Sequence, residues 1–204
     1  MDQKKAIKQL KKIEEILPEK DLRLAAEWDE KWKILIATIL SSQTKDEKTI
    51  DVCENYLFRK FKNLKALSRG NLKEIEKIIH GINYYKTKAR NIKETARIIV
   101  YDKKGKIPDS IDGLLELPGV GRKVANVYLV TAFNADAIGV DTHVARISRK
   151  LGWTKENNRS KIEKDLEKLF PREYWNSINW ILVRFGRTTG KNRKKEDEVL
   201  KELT

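Results

Sequence analysis

Apolar side chains recur along most of the chain at the three- and four-residue spacing of an amphipathic α-helix. In residues 2–17, lysines and glutamates separate an apolar face that consists of Ile7, Leu10, Ile13 and Leu17. No stretch alternates between apolar and polar residues for long enough to predict a β-strand. The pattern therefore predicts an all-α fold of about ten or eleven helices.

The segment 33–41 differs from the other helical segments because it is apolar almost all round, which is typical of a helix buried on every side. Prolines, glycines and polar clusters separate the other segments, as at Pro18 and at His80 to Asn83. The remaining helices are predicted at residues 46–59, 63–67, 71–79, 84–101, 111–116, 122–133, 141–151, 158–169, 173–188 and 193–203.

The segment Leu117 to Asn126 places a proline, two closely spaced glycines and a lysine between two predicted helices. Pro118 cannot continue the first helix, and Gly119 and Gly121 can adopt backbone angles closed to other residues. A tight hairpin at a helix N-terminus presents main-chain N–H groups that suit an anion. A dinucleotide-binding loop is excluded, since it needs a third glycine where Val124 stands. A helix-hairpin-helix that grips a nucleic-acid backbone and an ordinary turn between core helices both remain open.

The charge of the sequence favours a nucleic acid as the partner. Lysine and arginine outnumber aspartate and glutamate by 44 to 30, which gives a net charge of +14 and a pI near 9.7. The apolar runs are far too short to cross a bilayer, and the start of the chain predicts a charged helix rather than a signal peptide. Cys53 is the only cysteine, so there is no disulfide framework. We therefore expect an intracellular protein of the cytoplasm or nucleoid.

Lys123 and Asp141 are the residues with candidate chemistry around the hairpin. A lysine is a nucleophile only when it is uncharged, and burial, neighbouring cations and a helix N-terminus all favour the neutral amine. Lys123 is equally compatible with a simple phosphate contact. Asp141 precedes a predicted helix, where an aspartate is most often an N-cap. His143, two residues later, either contacts phosphate or packs.

Two segments of the chain resemble the signature of a known family. Leu117 to Asn126, followed by Val140 to Val144, is similar to the helix-hairpin-helix, Gly/Pro-rich loop and aspartate of the endonuclease III group of DNA glycosylases. The resemblance extends from about Ile34 to Arg187. Within that range, three further blocks fit in order, at Leu40 to Asp46, Gly81 to Ala89 and Phe185 to Arg187.

The resemblance implies a base-excision-repair DNA glycosylase with AP lyase activity. Lys123 would be the amine that attacks C1′ of the sugar, displaces the damaged base and leaves a Schiff base, after which β-elimination opens the strand. Asp141 would activate the amine and stabilise positive charge on the sugar. Family members that only remove the base lack a lysine at this position, so Lys123 favours the bifunctional activity.

Oxidised pyrimidines in double-stranded DNA are the expected substrates. Two alternatives remain open. One is a glycosylase for G·T or G·U mismatches, because some relatives have this activity. The other is a non-catalytic helix-hairpin-helix module, which explains the charge and the hairpin but leaves the joint presence of Lys123, Asp141 and Gln43 accidental.

The resemblance also implies a set of DNA-binding residues. The main chain of the hairpin at Gly119, Val120 and Gly121 would bind phosphate. Gln43 would fill the space vacated by the extruded base, and Ile82 would be an apolar wedge beside it. The alternatives are a glutamine that caps a loop and an isoleucine that makes a small core contact.

The C-terminal region departs from the family pattern. Many relatives hold a [4Fe–4S] cluster with four cysteines, and such clusters require thiolates. Here the first ligand position falls on Gly190 and no cysteine follows, so we expect no cluster, no metal and no other cofactor. A last helix with Val199, Leu200 and Leu203 on one face is expected to pack where the cluster would be.

The architecture implied by the resemblance has two lobes with a cleft between them. A six-helix lobe over residues 22–133 would contain the hairpin and Lys123. Residues 1–21 and 134–204 would form a second helical lobe that supplies Asp141. The expected protein is a monomer that binds damaged or mismatched duplex DNA.

Overall fold

The computed structural model describes residues 1–18, 23–189 and 193–203, and every regular element in these ranges is helical. This confirms the predicted all-α fold. The helices are Gln3–Glu15 (α1), Lys31–Ser41 (α2), Asp46–Val52 (α3), Phe58–Lys60 (α4), Leu64–Arg69 (α5), Leu72–Ile78 (α6), Tyr85–Arg97 (α7), Ile111–Leu115 (α8), Arg122–Phe133 (α9), Thr142–Lys150 (α10), Arg159–Leu169 (α11), Arg172–Thr189 (α12) and Arg193–Glu202 (α13).

Two short π-helical segments interrupt this α-helical pattern. Cys53–Leu57 joins α3 to α4, so that residues 46–60 are helical without a break. Ile98–Asp102 extends α7. None of the helices in the described residues has the length and apolarity needed to cross a membrane. The chain divides into two compact units, Arg23–Phe133 and Met1–Leu22 together with Asn134–Thr204.

In the unit Arg23–Phe133, the apolar helix α2 is buried on all sides, as its composition predicts. It packs against α7 and α9, and α7 in turn packs against α5. The rings of Trp28 and Trp32 meet the ring of Phe58 edge-on, with centroids 4.9 and 5.0 Å apart. Trp32 thereby packs the start of α2 against α4.

The other unit has its own apolar core, in which α1 packs against α12 and α10 also packs against α12. The last helix, α13, belongs to this core through Leu200. Gln9 connects α1 to the C-terminal end of α13 and to the core, because its Nε2 donates to Leu203 O at 2.8 Å and its Oε1 accepts from Trp153 Nε1 at 2.7 Å. A buried amide thus has partners on both of its polar atoms.

A buried ion-pair cluster joins α13 to α10. The carboxylate of Glu196 is fully buried and accepts two hydrogen bonds from Arg146, at 2.7 and 3.0 Å, and one from Lys150, at 2.7 Å. Lys150 also pairs with Asp197 at 2.6 Å. Burial raises the pKa of Glu196, but the bonds and charges of Arg146 and Lys150 outweigh that effect and leave the pKa below its usual value. Glu196 is therefore ionised and paired at neutral pH.

Candidate active site

The hairpin between α8 and α9 requires a glycine at its first glycine position. Gly119 has φ +80°, and an added Cβ would lie 2.9 Å from Asn91 Nδ2 and 3.1 Å from Ile39 Cγ2. The hydroxyl of Thr95 on α7 donates to Pro118 O at 2.9 Å and so fixes the hairpin to the unit's core. The hairpin backbone can therefore approach α2 and α7 closely only when residue 119 has no side chain.

Gly121 is exposed, and nothing lies within 4 Å of the position that its Cβ would take. Packing inside the protein therefore does not explain a glycine there. The open space faces away from the unit just before the first turn of α9, where a bound phosphate would approach the main chain. This geometry is consistent with the predicted anion site.

Val120, between the two glycines, is held by the hairpin itself. Its side chain is 6 % exposed, and its N–H donates to Leu117 O at 3.1 Å within the turn. This N–H is bonded inside the hairpin, and the predicted phosphate contact of Val120 stays a prediction. Val120 anchors the hairpin, and the exposed main chain at Gly119 and Gly121 is the part available to a ligand.

Lys123 is half-buried in the first turn of α9, two residues after Gly121. The main-chain dipoles of α9 add positive potential at this end of the helix, and Arg122 adds a full charge. A phosphate bound at the hairpin would therefore lie at the same end of α9 as the amine of Lys123. The arrangement places an amine beside the predicted anion site.

Asp141 is the N-cap of α10, in the unit that does not contain Lys123. Its Oδ1 accepts from the main-chain N–H groups of His143 at 2.8 Å and Val144 at 2.9 Å. Both capping bonds use Oδ1, so that Oδ2 takes no part in the cap. The chain that leads to Asp141 is held in place by Asn179 on α12, whose Nδ2 donates to Gly139 O at 2.6 Å. Hydrogen bonds therefore hold the chain before Asp141, at Gly139, and tie its carboxylate to the first turn of α10 after it.

His143 lies on α10 against Gly186 of α12, where a Cβ would collide with the imidazole. Its Nδ1 is 3.3 Å from Arg146 Nη2. Burial lowers the pKa of His143, and the charges of Arg146 and Arg187 lower it further, against the opposing effect of Asp141. The ring is therefore neutral at physiological pH and can donate to a phosphate only through one N–H.

Gln43 lies in the 41–44 loop, which begins at the last residue of α2. It is exposed and has φ +56°, in the left-handed region that non-glycine residues seldom adopt. Asn83 holds this conformation, because its Nδ2 donates to Gln43 O at 2.5 Å and its N–H donates to Thr44 Oγ1 at 3.2 Å. The structure thus joins the 41–44 loop to the 80–84 turn.

Ile82 does not match its predicted role as a wedge. It is 1 % exposed, and its N–H donates to Ile79 O at 2.9 Å, so it is a core residue of the 80–84 turn. A wedge has to reach the bases, which a buried side chain cannot do. Tyr84, two residues later, is 68 % exposed and has φ +58°. The sequence analysis did not single out Tyr84. Its position, an aromatic residue where a turn meets a basic helix, could have marked it as a candidate for DNA contact.

The single cysteine of the sequence does not fit an iron–sulfur cluster. Cys53, the sole cysteine of the sequence, is buried in the π-helical segment, and burial raises the pKa of its thiol. Within the described ranges, no group of three or more His, Cys, Asp or Glu side chains could hold a metal ion. Gly190, the predicted first ligand position, lies outside the described residues.

Comparison with known proteins gives a family match. Residues 36–172 match the HhH-GPD superfamily base excision DNA repair protein family. The chain is 40 % identical over 156 residues to endonuclease III of Thermotoga maritima, covering 76 % of this chain and 73 % of that protein. It is 35 % identical over 179 residues to endonuclease III of Bacillus subtilis, covering 87 % and 80 %.

Solved structures give the same result. A trapped covalent intermediate of endonuclease III with DNA superposes with a TM-score of 0.85 and 33 % identity, covering 92 % of this chain and 87 % of that one. A thermostable thymine-DNA glycosylase has a TM-score of 0.75, with 90 % and 85 % covered, but at 23 % identity it shows the shared fold alone.

An all-helical fold with a glycine hairpin at the N-terminus of a lysine-bearing helix defines the helix-hairpin-helix class of DNA repair proteins. The chain belongs to the HhH-GPD superfamily of base excision DNA repair proteins and is an endonuclease III homologue. It is a DNA glycosylase that binds DNA.

Proposed function

We propose that this glycosylase is bifunctional, with an AP lyase activity that uses Lys123, and that it acts on oxidised pyrimidines in duplex DNA. The observation that carries the proposal is the position of Lys123 in the first turn of α9, two residues after a glycine hairpin suited to phosphate. Such a hairpin delivers the backbone of the substrate to the amine. The relatives named endonuclease III support the same class of reaction.

In the proposed reaction, the uncharged amine of Lys123 attacks C1′ and the bond between C1′ and the base breaks. The base leaves with the electron pair and takes up a proton. The C1′–O4′ bond of the resulting aminal then breaks, O4′ takes up a proton, and C1′ and the lysine nitrogen form an iminium, which is the Schiff base. A proton then leaves C2′, the bond between C3′ and the phosphate oxygen breaks, and water finally hydrolyses the Schiff base. The iminium makes the C2′ proton acidic enough for this elimination.

Asp141 supplies negative charge while positive charge develops on the sugar. The family resemblance implies that it also activates the amine of Lys123. The capping bonds at Oδ1 fix the carboxylate, and Oδ2 is the oxygen for this role. A single side chain thus caps α10 and serves the reaction, since the two tasks use different oxygens.

When the base is extruded, side chains of the 41–44 loop and the 80–84 turn are proposed to enter the duplex. Gln43 enters the space that the extruded base leaves, and Tyr84, rather than Ile82, is the side chain that enters the stack beside it. Both side chains are exposed on left-handed backbone, whereas Ile82 is buried. An aromatic ring is suited to this position because it can stack on the neighbouring base.

Borohydride trapping on a duplex with an abasic site tests the lyase. Reduction of the Schiff base should give a covalent protein–DNA adduct with the wild type and none with Lys123→Ala. The neighbouring Arg122→Ala variant is the matched control, since it removes a cation from the same helix turn but leaves the amine. An adduct with Lys123→Ala, or its absence in the wild type, overturns the proposal.

A panel of duplexes tests the substrate class. We expect faster base release from duplexes that carry thymine glycol than from duplexes with a G·T or G·U mismatch. Preferential release from the mismatches would identify a mismatch glycosylase instead. Binding without base release from any duplex would leave a DNA-binding module.

A further inference from the structure

Lys88 of α7 is a buried lysine with three hydrogen-bond acceptors. The residue is 6 % exposed, and its Nζ donates to Leu40 O at 2.8 Å, Ser42 O at 2.5 Å and Thr44 Oγ1 at 3.1 Å. An ammonium group has three N–H donors, so each donor has one acceptor. All three acceptors lie at the end of α2 or in the 41–44 loop that follows it.

The position is electrostatically suited to a cation. The last carbonyl groups of a helix have no partner within the helix, and they form the negative end of its dipole. Burial nevertheless lowers the pKa of Lys88 to about 8, because removal of an ammonium from water costs free energy. An apolar side chain of the same length would avoid this cost but would leave the carbonyls of Leu40 and Ser42 unpaired.

These contacts fix the residues on either side of Gln43 in the chain. Lys88 holds the carbonyl of Ser42 before it and the hydroxyl of Thr44 after it. The same hydroxyl accepts the N–H of Asn83 at 3.2 Å, and the side chain of Asn83 donates to Gln43 O. A non-glycine residue at φ +56° is strained and persists only when its surroundings fix it.

We propose that Lys88 is a positioning residue, which holds Gln43 in the conformation in which it enters the duplex at the damaged site. Through Thr44 and Asn83, the same network fixes the turn that carries Tyr84. The two inserting side chains are therefore presented as one preformed unit, and DNA binding does not have to order them. The inference rests on the proposed function because it assumes that Gln43 enters the duplex.

Lys88 does not act by touching DNA. Its ammonium is buried, and its three N–H groups already have acceptors within the protein. The loss of the Lys88 side chain should therefore weaken binding to damaged DNA more than binding to undamaged DNA. That distinction gives the experiment its readout.

The experiment compares the affinity of each variant for two duplexes of the same sequence, one with a tetrahydrofuran abasic-site analogue and one undamaged. Lys88→Met keeps the length of the side chain and removes its charge and bonds. We expect about a 10-fold loss of affinity for the analogue duplex and less than about a 2-fold loss for the undamaged one. Lys93→Met is the matched control, because Lys93 is also on α7 and donates to a carbonyl, that of Gly70, away from the loop.

Two further variants make the test specific. If Lys88 acts through Gln43, Lys88→Met should add little to the loss already caused by Gln43→Ala, whereas independent effects would add. Thr44→Val removes the hydroxyl shared by Lys88 and Asn83 and should give a weaker form of the same selective loss. Circular dichroism establishes that each variant is folded, and Thr44→Val carries the test if Lys88→Met does not fold.

The outcomes separate the inference from the proposed function. A wild type that does not prefer the analogue duplex overturns the proposed function itself. A wild type that prefers it, with Lys88→Met or the substitute Thr44→Val keeping the same preference, overturns only the role of Lys88. Equal losses on both duplexes, or full additivity with Gln43→Ala, also overturn that role.

Discussion

Gly119 and Gly121 lie two residues apart in one hairpin, but different forces require them. Gly119 has a positive φ and lies against Asn91 and Ile39, so the protein itself needs a glycine there. Gly121 has open space in front of its Cα, so only an external ligand could require the absence of a side chain.

Alanine substitutions separate the two requirements. Gly119→Ala should lower the free energy of unfolding by about 1–3 kcal/mol, from the left-handed backbone and the close contact with Asn91. Gly121→Ala should change stability by less than about 0.5 kcal/mol and should weaken DNA binding. Urea denaturation and a binding titration on the same duplex measure both effects. A larger loss of stability for Gly121→Ala would contradict this assignment.

Asp141→Asn distinguishes the cap of α10 from the proposed chemistry. Asparagine is as good an N-cap as aspartate, so the stability should change by less than about 0.5 kcal/mol. Base release under single-turnover conditions should nevertheless fall by roughly 10²-fold or more, because the negative charge is gone. Asp2→Asn, the same change at the N-cap of α1, should leave base release unchanged. Full activity of Asp141→Asn would make Asp141 only a cap.

Ile82 and Tyr84 should show opposite behaviour on truncation. Ile82→Ala removes a buried side chain and should cost about 2–4 kcal/mol of unfolding free energy. Tyr84→Ala should leave stability nearly unchanged and lower the affinity for a duplex with an abasic-site analogue. Thermal denaturation and a binding titration give the two readouts. If Tyr84→Ala binds that duplex as the wild type does, Tyr84 is not the inserting side chain.

At the scale of elements, the sequence predicts the helices well because most of them are amphipathic or wholly apolar. Residues 122–133 were predicted as a helix, and the structure has Arg122–Phe133. The π-helical segment Cys53–Leu57 was not predicted, since a change in hydrogen-bond partner leaves the apolar spacing almost unaltered.

The candidate site was harder to predict than the helices. Ile82 was predicted as a wedge from its place in the family pattern, with a core contact as the alternative. A single apolar residue in a turn carries no periodic signal that decides between the two, and only the packed turn shows that it is buried. Lys88 lies in the block Gly81 to Ala89 that fits the family, but that pattern does not distinguish a buried ammonium from a solvated one. Tertiary contacts decide both cases.

The helix α13 depends on its buried carboxylate, and Glu196→Gln should show this. Removal of one partner leaves Arg146 and Lys150 without their acceptor charge, at a cost of roughly 3 kcal/mol of unfolding free energy. Glu198→Gln, an exposed position on the same helix, should change stability by less than about 0.5 kcal/mol. Urea denaturation at pH 7 makes the comparison.

The difference in unfolding free energy between the wild type and Glu196→Gln should depend on pH. The folded pKa of Glu196 lies below its unfolded value, so its contribution is present above the unfolded pKa and is lost as pH falls through the folded one. The difference in stability between wild type and Glu196→Gln should therefore shrink from pH 6 towards pH 3. A difference that stays constant over this range would show that the charge of Glu196 does not stabilise α13.

For the whole molecule, the net charge of +14 acts on DNA together with the local grip of the hairpin. Charged side chains release counterions from the DNA when they bind phosphates, whereas main-chain N–H groups carry no net charge and release few. The two contributions to affinity therefore differ in their dependence on salt, even when they act on neighbouring phosphates.

The salt dependence of DNA binding separates these contributions. The affinity of the wild type for a duplex should fall by roughly 10²–10³-fold between 50 and 200 mM salt. Arg122→Ala should reduce the slope of log affinity against log salt by about one if its guanidinium neutralises a phosphate. Gly121→Ala should lower the affinity with an unchanged slope, since it disturbs only a main-chain contact. A flat salt dependence of the wild type would contradict binding through phosphates, and a slope reduced by Gly121→Ala would contradict an uncharged grip at the hairpin.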